Sequence, residues 1–172
     1  MWRLLRIRAR RQGHRRGTPI VSVSTASPKK DCIFCDKLAQ NQDEANYILL
    51  RAQHNFVLLN LYPYTSGHLM VAPYEHVASL SEAGREVREE MMELTARAEM
   101  VLRKVYMPDG VNLGMNLGEA AGAGVAGHIH MHVLPRWTGD ASFMTSIAET
   151  RVLPEDLPTT YAKLKAELTK SA

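Results

Sequence analysis

The feature that most constrains this chain is the run His128-Ile-His-Met-His-Val-Leu-Pro135. Side chains alternate faces along a strand, so His128, His130 and His132 share one face while Ile129, Met131 and Val133 take the other. The apolar set requires a core beneath it, which predicts a strand in a packed sheet with its imidazoles lining a surface groove. Neighbouring rings would stand roughly 6–7 Å apart, a spacing that brackets a phosphate group. Imidazole titrates near about pH 6.5. One neutral ring can therefore attack phosphorus while cationic neighbours stabilise the charge that builds on its oxygens. A catalytic zinc held by three histidines also suits H-x-H on a strand, and the triad alone leaves that reading open.

The pattern elsewhere predicts what this strand packs against. Asn55-Phe-Val-Leu-Leu-Asn-Leu61 and His68-Leu-Met-Val-Ala72 are apolar runs bounded by Pro63, Gly67 and Pro73, which reads as two strands joined by a turn. Ser79-Leu-Ser-Glu82 has the form of a capping box. After it, Val87, Met91, Leu94, Ala98, Val101, Leu102 and Val105 recur at spacings of three and four. That predicts an amphipathic helix of about 25 residues, stopped by Pro108 and Gly110. Val111–Leu117 and His128–Leu134 read as further strands, and Leu157 to Leu168 as a closing helix. Strands interrupted by one long helix predict an α+β domain with a mostly antiparallel sheet.

The chain has 172 residues and a formal charge of +3, but that sum hides an asymmetry. Residues 1–30 carry nine Lys and Arg and no acid, which leaves 12 basic residues against 18 acidic ones from Asp31 onward, a net of −6. An Arg-rich, acid-free stretch followed by Ser22, Ser24, Thr25 and Ser27 has the composition of an organelle transit peptide. A nucleic-acid-binding arm is the weaker alternative, because no aromatics interleave the bases. An incidental basic extension from an upstream start codon fits equally well. The domain is accordingly expected over 31–172, with a C-terminal extension from about 147. No run of about 18 apolar residues occurs, so no membrane span is expected. The expected location is cytoplasmic, or organellar if residues 1–30 are a transit peptide.

Two further motifs carry chemistry. The loop Gly118-Glu-Ala-Ala-Gly122-Ala-Gly124-Val-Ala-Gly127 contains a formal G-x-G-x-x-G, but it runs into a strand rather than opening a helix, so it fails as a dinucleotide fingerprint. Its small residues can still bring backbone N–H groups close to an anion. Cys32-Ile-Phe-Cys35 has the spacing of a zinc knuckle, of a redox pair, or of two unrelated cysteines. Zinc would need two more ligands from His14, His54, His68, His76, His128, His130 and His132.

At these residues the sequence resembles the histidine triad (HIT) superfamily, whose signature H-x-H-x-H and two apolar residues is matched by His128 to Leu134. The resemblance covers about Asp31 to Ser146, and is nearest the fragile-histidine-triad and bacterial diadenosine tetraphosphate hydrolase or phosphorylase branch. Cys32–Cys35 is similar to the opening of bacterial members, Asn60, Pro63, Gly67 and His68 to the nucleoside-contacting strand pair, and Pro73-Tyr-Glu-His76 to the family's Pro-x-x-His. The segment from Pro135 to Thr145 resembles members acting on diadenosine tetraphosphate. The resemblance implies a HIT-like α+β fold around a five-stranded, mostly antiparallel sheet, dimerising into a homodimer. It implies cleavage of a dinucleoside polyphosphate at the α-phosphate in two steps. His130 would be the nucleophile, His132 would hold phosphate oxygens and assist the leaving group, and His128 would complete the catalytic row. Asn60 and His68 would contact the nucleoside, and Asn116 with Gly122, Ala123, Gly124 and Val125 the phosphates. In zinc-containing members the metal site corresponds to Cys32, Cys35, His76 and His128; Mg or Mn would accompany the substrate.

One departure bears on the acceptor. Four residues before His128, where many hydrolases carry Gln and some phosphorylases Ser, this chain has Gly124, which leaves both water and inorganic phosphate as acceptors. The alternatives are a nucleoside phosphoramidate hydrolase using the same nucleophile, a non-catalytic nucleotide-binding module, and the three-His zinc hydrolase.

Overall fold

The computed structural model describes residues 32–140 and 154–170. The basic segment 1–30, together with residues 147–153 and 171–172 of the expected C-terminal extension, lies outside the described residues. In chain order come helix α1 (Ile33–Gln40), strands β1 (Ile48–Arg51), β2 (Asn55–Leu59) and β3 (Leu69–Pro73), helix α2 (Arg85–Tyr106), strands β4 (Gly110–Gly114) and β5 (Met131–Arg136), and helix α3 (Leu157–Lys170). The strands form one sheet in the order β1-β2-β3-β5-β4. Every neighbouring pair is antiparallel, as the sequence predicts.

β2 and β3 are buried at every position, so both faces of the central sheet are covered. Alternation sorts their side chains cleanly. Val57, Leu59, Leu69 and Val71 pack with Val87, Met91, Leu94, Ala98, Val101 and Leu102 of α2 and with Leu164 and Leu168 of α3. Phe56, Leu58, Met70 and Ala72 point the other way and pack with Cys32, Phe34 and Cys35 from α1 and its start. Each of the large apolar side chains contributes roughly 1.5–3 kcal/mol on burial. The predicted period of α2 therefore matches the face it buries. β5 follows the same rule: Met70 pairs with His132 and Leu69 with Val133, so the histidines share the face of the smaller cluster.

Several expected boundaries shift. The Ser79–Glu82 box does not start α2, which begins at Arg85 behind Gly84 with no side-chain cap. Glu82 instead accepts the backbone N–H of Ala78 at 2.9 Å, closing a turn before the helix. β4 ends at Gly114 rather than Leu117. α1 and β1, which the sequence reading did not anticipate, complete the sheet and its second layer. α3 lies against β1, with Tyr161 donating its hydroxyl to the Ile48 carbonyl at 3.2 Å and Lys165 its ammonium to that of Leu49 at 2.7 Å.

Gly67 couples α2 to the loop before β3. Its φ is +79°, and a Cβ there would stand 2.8 Å from Cε2 of Tyr106 and 3.0 Å from Cδ2 of Leu102. Gly67→Ala is expected to cost roughly 2–4 kcal/mol, the sum of left-handed backbone strain and a forced shift of a packed ring. Thermal unfolding measures this, and an unchanged midpoint would refute the close contact.

Candidate active site

Although the expected alternation is present, the strand itself starts only at Met131, so His128, at the bend that closes the preceding turn, and His130 lie in the segment leading into β5. Ile129 and Val133 are buried at 2% and 0% exposure against α2, as the pattern demands. The imidazoles do not line an open surface groove: His128, His130 and His132 are 0%, 5% and 9% exposed. The reason is long-range. α1 lays Phe34 against the row, 5.1 Å from the His128 ring and 5.0 Å from that of His130. The 60–68 loop brings Tyr64 to its other end, 6.3 Å from the His132 ring. Neither aromatic stands out in the local sequence pattern; the only signal for Phe34 is its place inside the C-x-x-C motif.

Hydrogen bonds fix the protonation of each ring. His130 Nδ1 is 2.9 Å from the His128 carbonyl, which can only accept, so the proton is on Nδ1 and the lone pair is on Nε2. Nε2 has no partner among the described residues. Burial lowers the His130 pKa, with the carbonyl contact acting in the opposite direction, which favours the neutral ring. His68 Nδ1 receives the Tyr64 backbone N–H at 3.3 Å, so it is the acceptor nitrogen. Its Nε2–H then donates to His132 Nδ1 at 2.9 Å, which leaves the His132 proton on Nε2, facing the site. Burial and neighbouring imidazoles push His68 down to about 3 and His132 down to about 4.

His68 is thus 1% exposed with both nitrogens engaged. The structure places it against His132, 2.9 Å away. Asn60 turns inward too, its Nδ2 3.3 Å from His68 Nδ1 and its Oδ1 accepting the Tyr62 N–H at 3.0 Å. Asn116 donates to the Gly122 carbonyl at 3.5 Å, tying the end of β4 to the glycine loop. In that loop Gly122 and Gly124 are exposed, while Val125 packs against the cluster beneath the histidines.

Beside the row, Cys32, Cys35, His76 and His128 bring four ligand atoms within 4.8 Å of one another. Cys32 Sγ is 3.3 Å from His128 Nδ1, and Cys35 Sγ is 3.4 Å from His76 Nδ1 and 3.7 Å from His128 Nδ1. A tetrahedral zinc with two sulfur and two nitrogen ligands would set such atoms roughly 3.5–3.8 Å apart, so the donors fit the edges of that polyhedron. His128 Nε2 lies 2.9 Å from the Pro73 carbonyl, which orients the ring with Nδ1 toward the sulfurs, the usual support for a ligating histidine. Gly127 makes room for this: a Cβ there would stand 3.3 Å from His76 Nε2. His130 and His132 are not members of the four-residue cluster, which argues against a three-His zinc centre.

Comparison with known proteins agrees with this geometry. The HIT domain family model matches residues 41–139. The chain is 40% identical over 144 residues to a Mycobacterium tuberculosis protein named AP-4-A phosphorylase, a match covering 84% of this chain and 72% of that one. Among solved structures, a Zn-bound histidine triad family protein from Mycobacterium smegmatis superimposes with a TM-score of 0.66 at 27% identity, covering 82% of this chain and 95% of that one. A HIT family member from Bacillus subtilis gives a TM-score of 0.58 at 26% identity, over 83% and 98% of the two chains. With the triad, the five-stranded sheet and the matched family model in agreement, the chain belongs to the histidine triad family.

Proposed function

We propose that the protein cleaves dinucleoside polyphosphates of the diadenosine tetraphosphate type at an α-phosphate, through a nucleotidyl intermediate on His130. The observation that carries this reading is the lone pair on His130 Nε2, fixed by the 2.9 Å bond from Nδ1 to the His128 carbonyl. In the first step that lone pair forms an N–P bond with the α-phosphorus. The P–O bond to the departing nucleotide breaks, and its electron pair leaves with ATP. His132 Nε2–H donates to the departing oxygen as charge develops there. ATP departs as an anion, so this hydrogen bond suffices without full proton transfer. In the second step an oxygen of the acceptor attacks the same phosphorus and the N–P bond breaks, restoring His130.

Inorganic phosphate is the acceptor the site favours. Phosphate brings an anionic oxygen and needs no general base, whereas water does. With its proton on Nε2 and Nδ1 engaged by His68, His132 has no free nitrogen to serve as that base. The name of the 40% identical M. tuberculosis relative supports the same choice. Zinc in the Cys32, Cys35, His76 and His128 cluster would act structurally, fastening α1 and Phe34 to the histidine row. β4, an edge strand of the sheet among the described residues and with Leu113 46% exposed, supports pairing into a homodimer, which light scattering tests directly.

The deciding assay incubates the protein with diadenosine tetraphosphate, with and without phosphate. ADP plus ATP formed only with phosphate is the expected result. AMP plus ATP without phosphate makes it a hydrolase, two ADP contradicts attack at the α-phosphate, and no products at all favours a binding module. Faster turnover of an adenosine phosphoramidate would favour the alternative substrate class. Within this reading His68→Gln is predicted to lower kcat roughly 100-fold with little change in KM, because it releases the His132 tautomer without touching the ligand. An unchanged kcat would remove His68 from the mechanism.

A further inference from the structure

The imidazole row has an aromatic ring at each end, and the two are treated differently. Phe34 is 1% exposed and closes the end occupied by His128 and His130. Tyr64 lies 4.8 Å from the His68 ring and 6.3 Å from the His132 ring, inclined by 28° to the latter, yet it is 60% exposed. Tyr62, two residues earlier, is 82% exposed. The loop that presents them is held firmly. Thr65 donates its hydroxyl to the Pro135 carbonyl at 3.2 Å, the Glu155 N–H donates to Ser66 Oγ at 2.8 Å, and the Tyr64 N–H is engaged by His68. A ring backed by two imidazoles and fixed through its backbone, with an open outer face, is already organised for stacking.

We propose that Tyr64 forms a platform for the nucleobase of the departing nucleotide. This inference rests on the proposed cleavage of dinucleoside polyphosphates and adds a subsite to it. The departing rather than the transferred nucleotide is chosen because Tyr64 flanks His132, the ring assigned to the departing oxygen, and stands at the far end of the row from Phe34. The triphosphate and ribose between that oxygen and the second base are flexible enough to fold the base back over the adjacent ring. Every base has a π-face, so such a platform selects for a base without selecting strongly which one.

The test compares diadenosine tetraphosphate with adenosine 5′-tetraphosphate, which transfers the same adenylyl group but releases triphosphate without a base. For Tyr64→Ala the ratio of the two kcat/KM values is expected to fall roughly tenfold toward the baseless substrate. Tyr64→Phe, which keeps the ring, is expected to retain the wild-type ratio. An unchanged ratio in Tyr64→Ala overturns the platform, whether both activities fall together or neither does. A changed oligomeric state at unchanged ratio likewise overturns it and makes Tyr64 a subunit contact. Failure of the wild type to cleave either tetraphosphate is a different result: it refutes the proposed function, and the platform falls with it.

Discussion

Replacing His130 by Asn is expected to lower kcat/KM for diadenosine tetraphosphate by roughly four orders of magnitude or more, the scale seen when a covalent nucleophile is removed. Asn can still donate to the His128 carbonyl, as His130 Nδ1 does at 2.9 Å, so the approach to β5 should keep its shape. What it lacks is a second nitrogen with a lone pair directed at phosphorus. The ring is held among Phe34, His128 and His132, with burial favouring its neutral form. Because His130 is outside the four-residue metal cluster, metal content and the unfolding midpoint should stay close to wild type. A variant retaining activity within about tenfold of wild type would show that another group attacks.

Cys32→Ser and Cys35→Ser are expected to have the largest effect on stability. Neither cysteine is in a disulfide; they are 3% and 8% exposed, and their sulfurs face His76 and His128 at 3.3–3.7 Å. If zinc joins these four side chains it ties α1 to the histidine row, and its binding energy is part of the folding energy. We predict one zinc per chain by elemental analysis, falling to near zero in either variant. Losing a structural metal from an already folded domain of this size should cost several kcal/mol, lowering the unfolding midpoint by about 10 °C or more. A strong chelator should do the same to the wild type. If the cysteines only fill space, chelation will leave the midpoint unchanged and each serine will cost only about 1–2 kcal/mol.

The parts of this account that were legible in sequence are those with a short period. Alternation along His128–Val133 sorted the histidines from the core, and the three-four spacing from Val87 to Leu102 found the buried face of α2. The less legible parts depend on contacts distant in sequence. α1 is only eight residues long and mostly polar or half-exposed, so its role appears only when Phe34 and Cys32 meet His128, 96 residues after Cys32. The same meeting buries imidazoles that local pattern would leave in an open groove. His68 lies 64 residues before His132, and no local pattern signals the 2.9 Å bond that joins them. The Ser79–Glu82 motif misled for a local reason: Glu82 reached back to Ala78 and made a turn where a helix start was expected.

The central claim is a covalent bond between His130 Nε2 and an α-phosphorus, and trapping that bond tests it most directly. The wild-type protein would be mixed with diadenosine tetraphosphate in phosphate-free buffer, quenched in base, where an N–P bond survives, and examined by intact mass and peptide mapping. The account predicts a mass increase of one adenylyl group located on His130, which disappears on adding phosphate as ADP is released. A protein that releases ATP without ever carrying the group, or that carries it on any other residue, would contradict it.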